Sequence, residues 1–190
     1  MPPEPEVPKE LPRRRPVYVP AVGPRLSKLL AVVLGLFALL AVNAFYLVVI
    51  RVAGWWTGES YENLFYLYMF LLHLVLGVLF IAPVVVFGAI HIKNARNRPN
   101  RRAVRVGFAL YAVALILLAS GVVLTRVEGV IVVKDEGVRA IAYWSHVVAP
   151  LLCAWLFVLH RLAGKRIQWR VGARWAAVAA VFAGVMLLFQ

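Results

Sequence analysis

A single cysteine among 190 residues, Cys153, excludes an internal disulfide and any group attached through two thiols of this chain. It falls in the middle of an apolar stretch and reads as a small packing residue. Acids are scarce as well: 8 Asp and Glu stand against 21 Lys and Arg. None of the acids lies inside an apolar stretch, so the side chains that a membrane proton relay or cation carrier uses are missing where they would be needed. Alternation of apolar and polar residues is also lacking; the apolar runs are continuous, which speaks against a transmembrane barrel of strands. Proline nearly vanishes after the start of the chain. Eight of the 11 prolines lie in residues 1–25, with Pro8, Pro12, Pro16, Pro20 and Pro24 at every fourth position. Neither helix nor sheet propagates through such a run, and residues 1–25 read as an extended, Pro/Arg-rich tail.

What the chain has in abundance is apolar surface. Hydrophobic residues make up 63% of it and the mean hydropathy is +0.84, values that predict an all-α integral membrane protein. Five apolar segments stand out, near residues 26–50, 64–92, 103–125, 142–163 and 172–189, each close to the ~20 residues that cross a bilayer. The first is too long for the apolar core of a cleaved signal peptide and reads as an uncleaved anchor. The predicted organisation is a tail over 1–25, a four-helix core over 26–163, and a basic loop with a fifth transmembrane helix over 164–190.

Charge sets the expected orientation. Lys9, Arg13, Arg14, Arg15, Arg25 and Lys28 precede the first segment; Lys93, Arg96, Arg98, Arg101, Arg102 and Arg105 join the second to the third; Arg161, Lys165, Arg166, Arg170 and Arg174 join the fourth to the fifth. The opposite side receives only Arg51, Arg126, Lys134 and Arg139. This asymmetry predicts a cytoplasmic N-terminus, and with five crossings a C-terminus on the outer, periplasmic side of a bacterial membrane. The net charge of +13 is then topological, with anionic lipid as its natural counterpart and no nucleic acid required. Trp55, Trp56, Tyr61, Tyr66, Tyr68, Tyr143 and Trp144 gather at the outer level, as aromatic side chains do at a headgroup boundary. In the outer connection from Arg126 to Ala142, Val130 to Val133 between two glycines predict a short hairpin or a surface-lying segment.

The four histidines fall in two segments, His73 and His91 in the second, His146 and His160 in the fourth. Both segments run from outside to inside, so His73 matches His146 in the outer half and His91 matches His160 near the inner end. An imidazole in hydrocarbon is costly and marks function. Eighteen residues from His73 to His91 make five turns and ~27 Å, which puts both on one face. The fourteen from His146 to His160 make nearly four turns and ~21 Å. Tilting, or a kink at Pro83, has to absorb the difference of ~6 Å.

Two histidines at each level, with no third and no acid beside them, suit zinc or copper poorly, because those ions want three or four protein ligands. They suit haem iron, whose porphyrin supplies the other donors. Metal ligation is therefore expected from His73 and His146 at an outer haem and from His91 and His160 at an inner one. Gly107 and Gly121, fourteen residues apart in the third segment, fall one at each level, and Gly35 opens the inner part of the first; all three are candidates for porphyrin clearance. Arg51, Arg126 and Lys134 outside, and Lys93, Arg98, Arg161 and Lys165 inside, are the cations available to haem propionates.

On these residues the chain resembles the cytochrome b family of quinol-oxidising complexes over roughly residues 26–163. The family takes two histidines from its second helix and two from its fourth, and it carries paired glycines in its third. The resemblance implies a four-helix core holding two b-type haems, electron transfer across the membrane, exchange with quinol or quinone, and a place among the subunits of a respiratory complex. The 18-residue step and the absence of a Pro-Glu-Trp-Tyr motif depart from the family pattern, so bifurcated quinol oxidation is not implied. A small di-haem electron-transfer subunit is the nearer likeness. With no cysteine pair for a haem of its own outside the membrane, the chain is expected to pass electrons to an extracytoplasmic c-type cytochrome or iron-sulfur protein, or to quinone. A haem-free membrane anchor or assembly subunit is the competing expectation, and a small-solute carrier a weaker one.

Overall fold

A computed structural model describes residues 20–125, 132–163 and 169–189. It contains five helices, α1 (Pro24–Thr57), α2 (Leu64–Ala95), α3 (Arg101–Leu124), α4 (Glu136–Ala163) and α5 (Trp169–Leu188), and no strand among the described residues. Four of them, α1 to α4, are long and apolar enough to cross a membrane. In α5 the described apolar stretch is Ala176–Met186, shorter than a membrane crossing. Of the five crossings expected, four are thus established on length and composition among the described residues. The tail over 1–19, the run 126–131 with its predicted hairpin, and the loop 164–168 lie outside the described residues.

Local chemistry places the helix ends. Pro24 opens α1, where a missing N–H costs nothing, and Gly58 closes it in the left-handed region at φ 75°. The Asn63 side chain accepts from Tyr66 N–H at 2.9 Å to start α2, and Asn100 accepts from Ala103 N–H at 3.1 Å to start α3. Asp135 accepts from Val138 N–H at 2.8 Å and starts α4 at Glu136, six residues before the apolar stretch itself begins. An acid cap on this turn allows the helix to begin in polar sequence. Asn100 also donates to the Ala163 carbonyl at 2.7 Å, tying the first turn of α3 to the last of α4.

The helices pack as two hairpins, α1 with α2 and α3 with α4, and α5 lies along α1. Met186 is buried with Val42, Tyr46 and Ile50, and the rings of Phe65 and Phe189 stand 6.3 Å apart, so α5 ends beside the end of α1 and the start of α2. Between α2 and α3 the Tyr111 ring lies over Gly88, where a Cβ would come within 2.0 Å of it, while the Tyr111 hydroxyl donates to the Val85 carbonyl at 3.1 Å. The backbones of α2 and α4 stand apart over most of their length.

Most large apolar side chains face outward, and the buried set is small. An apolar exterior with few buried residues is the pattern of a bundle whose solvent is lipid. Lys93, Arg96, Arg98, Arg101, Arg102 and Arg161 gather at one end of the bundle, called the basic end below. Trp55 and Trp56, both 82% exposed, mark the other, called the aromatic end.

Candidate functional site

The histidines meet across the gap between α2 and α4. His73 and His146 lie with ring centroids 6.1 Å apart at the aromatic end, and His91 and His160 at 6.0 Å at the basic end. In each pair the ring planes are nearly perpendicular, at 83° and 85°. An ion held between two imidazole nitrogens at ~2.0 Å from each would set ring centres roughly 6 Å apart with the three atoms in line. Both pairs form although the two histidine steps differ by four residues. Pro83 interrupts α2 between its histidines, and Pro150 does the same in α4. Each proline removes one helical hydrogen bond and provides a place to bend.

Each imidazole of α4 is aimed by α3. His160 Nδ1 donates to the Ala103 carbonyl at 3.1 Å. His146 Nδ1 lies 3.3 Å from the Leu117 carbonyl and 3.2 Å from Ser120 Oγ. Ser120 Oγ itself donates to the Leu117 carbonyl at 2.9 Å, so toward His146 it accepts. Ala103 and Leu117 stand four residues before Gly107 and Gly121, and this explains the glycines. A Cβ at Gly107 would lie 3.1 Å from His160 Cε1, and one at Gly121 3.1 Å from His146 Cε1. The same construction, a carbonyl under the ring nitrogen and a glycine under the ring edge, recurs fourteen residues along α3.

On α2 the two histidines differ. His73 Nδ1 lies 3.1 Å from Asn43 Oδ1 of α1. His91 stacks on Phe87 at 5.3 Å; the Ala21 backbone approaches its ring, but among the described residues its buried Nδ1 meets no partner within hydrogen-bond geometry. Nitrogens bonded through Nδ1–H leave Nε2 as the free electron pair, the state in which imidazole binds a metal. A cleft at the basic end runs between His91, Gly107, Phe108 and His160. Among the described residues no group of three or more His, Cys, Asp and Glu gathers anywhere, so each level offers two protein ligands. That donor set fits a group bringing further donors of its own better than a bare ion.

Other expected site residues are placed less closely. Asn43 marks the level of His73 on α1, which puts Gly35, eight residues and ~12 Å toward the basic end, between the two levels. Nothing lies within 4 Å of where a Gly35 Cβ would be. Arg51, a candidate for propionates, is bound by Glu62 at an exposed position. Arg126 lies outside the described residues, and Lys134 is exposed. Two residues not singled out from the sequence belong to the aromatic-end site, and a third lies on the same face of α4 beyond it. Asn43 and Ser120 are both buried and both meet a histidine nitrogen. Arg139 precedes His146 by seven residues, which puts it on the same face of α4 ~10.5 Å nearer the end of the bundle, and its Nη1 is buried without a hydrogen-bond partner among the described residues. A lone amide inside an apolar segment was the available signal for Asn43, and the seven-residue step for Arg139.

Comparison with protein-family models, with curated proteins and with solved structures finds no match to this chain. Fold and site together define a helical membrane bundle with a histidine pair toward each end.

Proposed function

We propose that this chain is a membrane cytochrome that carries electrons between the two faces of a bilayer through two b-type haems, each held by one histidine of α2 and one of α4. The observation that supports the reading best is the double pairing: two imidazole pairs at metal-bridging separation, three of the four rings aimed through Nδ1, and no third ligating side chain at either level among the described residues. Bound there, haem supplies reversible one-electron transfer. The chain's own part is ligation and positioning. His73 and His146 hold one centre and His91 and His160 the other, while Asn43, Ser120, Leu117 and Ala103 fix ring orientation. The apolar walls exclude water, and no moving element is needed. The basic end faces the cytoplasm, in line with the charge asymmetry, and α5 completes a fifth crossing that ends beside the end of α1.

Purification of the full chain in native lipids, with haem quantitation and a reduced-minus-oxidised spectrum, tests this directly. Two protohaems per chain with low-spin spectra are the expected result; a chain free of haem would leave a membrane anchor or assembly subunit as the better reading. In this role the chain works beside other subunits of a redox complex, exchanges electrons with quinol or quinone, and docks a c-type cytochrome or iron-sulfur protein at the aromatic end. The same purification is expected to bring such a redox subunit along. Recovery of a solitary chain with undiminished quinol oxidation would count against an obligatory partner.

The cation for haem carboxylates at the aromatic end is assigned by the same reading to Arg139 rather than Arg51. Arg139 lies on the histidine face with a buried nitrogen that meets no partner among the described residues, whereas Arg51 is engaged by Glu62. A charged hydrogen bond contributes about 1.5–3 kcal/mol, so Arg139→Leu is expected to weaken haem binding at that end roughly 10- to 100-fold. Arg51→Leu should leave it within about twofold, as expected for an exposed ion pair. Equal losses in the two variants, measured by haem retention on dilution, would refute the assignment.

A further inference from the structure

Asn43 stands in the apolar middle of α1 with 1% of its surface exposed. An amide buried among apolar residues is costly unless its bonds are made, and here both sides of it are used. Nδ2 donates to the Met69 carbonyl at 3.0 Å, with the Met69 sulfur 3.8 Å away, and Oδ1 faces His73 Nδ1 at 3.1 Å. The Met69 carbonyl can only accept, so the amide cannot turn over without setting two oxygens against each other. Oδ1 therefore points at His73, and because it too can only accept, the hydrogen of the neutral ring is on Nδ1. Asn43 thus reads two positions one turn apart on α2, a backbone carbonyl and the ring four residues later.

We infer that Asn43 is a positioning residue that locks His73 in the Nδ1–H tautomer and aims its Nε2 at the space shared with His146. The inference rests on the haem reading for its effect on a bound centre, and on the bonds above for the tautomer. It makes α1 part of the aromatic-end site, although α1 supplies no ligand. The basic end has no side-chain counterpart: among the described residues His91 Nδ1 meets no acceptor within hydrogen-bond geometry, and the polar group nearest that ring is a backbone one, at Ala21. A hydrogen-bond acceptor on the far nitrogen of a metal-bound imidazole orients the ring and raises its basicity, and loss of such a partner costs about 10- to 100-fold in metal affinity. Higher ligand basicity favours the oxidised metal, so the acceptor at Asn43 also holds the potential of that centre down.

The test compares the full chain with Asn43→Leu and Asn43→Asp, reading haem retention and the midpoint potential of each centre. Asn43→Leu should weaken retention at the His73–His146 centre about 10- to 100-fold and raise its potential. Asn43→Asp, nearly isosteric and the stronger acceptor when ionised, should lower that potential. The His91–His160 centre should move in neither. Opposite signs from two variants at the same buried position cannot come from loosened packing, and Asn43→Asp decides the matter if the leucine variant does not fold. Unchanged potentials, or equal shifts at both centres, would overturn the inference. A wild-type chain without haem would defeat the haem reading but not the positioning one. Nitrogen NMR of the histidine-labelled chain then decides: His73 should show Nδ1–H and a bare Nε2, and should lose that preference in Asn43→Leu. A His73 already protonated on Nε2 in the wild type would overturn the inference outright.

Discussion

Replacing His73 or His146 by alanine is expected to abolish the same haem centre, and replacing His91 or His160 the other, each pair sparing its opposite. The effect is large because a low-spin centre between two imidazoles has no substitute when one is withdrawn; among the described residues neither level holds a third ligating side chain. The cross-pairing is set by geometry: the rings meet at 6.1 and 6.0 Å between α2 and α4, whereas His73 and His91 are eighteen residues apart on one helix. Spectra of the four single variants and the two double variants check this. His73→Ala and His146→Ala should each leave one haem per chain with the same remaining spectrum, and the double variant should look like either single one. If those two substitutions remove spectroscopically different haems, the pairing is wrong.

The histidine levels were legible in the sequence because helical periodicity converts residue number into height and face. Eighteen residues keep His73 and His91 on one face, and continuous apolar runs fix the direction of each helix once the basic loops are assigned. The ~6 Å difference between the two steps did not prevent both pairs from closing, and a proline lies between the histidines in both α2 and α4. The helix starts were less legible. Apolar content marks the membrane stretch, but α4 begins where Asp135 caps it and not where the apolar run begins. The helix α5 likewise begins at Trp169, ahead of its apolar run. Partners of the imidazoles were hidden for a different reason. Ala103 and Leu117 act through backbone carbonyls, which carry no sequence signal, and Asn43 comes from a helix thirty residues away. A search of the spans for charged groups alone passes over an amide and a hydroxyl.

Gly107→Leu should remove the basic-end centre and Gly121→Leu the aromatic-end centre, with the other centre retained in each case. The two glycines sit directly beneath imidazole edges, where even a methyl group would lie 3.1 Å from a ring carbon. His160 cannot withdraw freely, because its Nδ1 is tied to the Ala103 carbonyl, and His146 is tied to Leu117 and Ser120 in the same way. A leucine therefore drives the ring off its acceptor or drives α3 away from α4. Overpacking of this kind costs about 1–3 kcal/mol, enough to empty a site whose ligand geometry depends on the ring it displaces. Gly107→Ala and Gly121→Ala should give the graded version, lowering occupancy with a single carbon. Gly35→Ala is the internal control, since nothing lies within 4 Å of the added carbon and neither pair is touched. Haem content and the potential of the surviving centre, measured side by side for the five variants, separate the two causes. Steric displacement of a ligand predicts loss confined to one level, in the order leucine over alanine. Generic helix packing instead predicts equal loss at both levels as α3 and α4 part along their whole length.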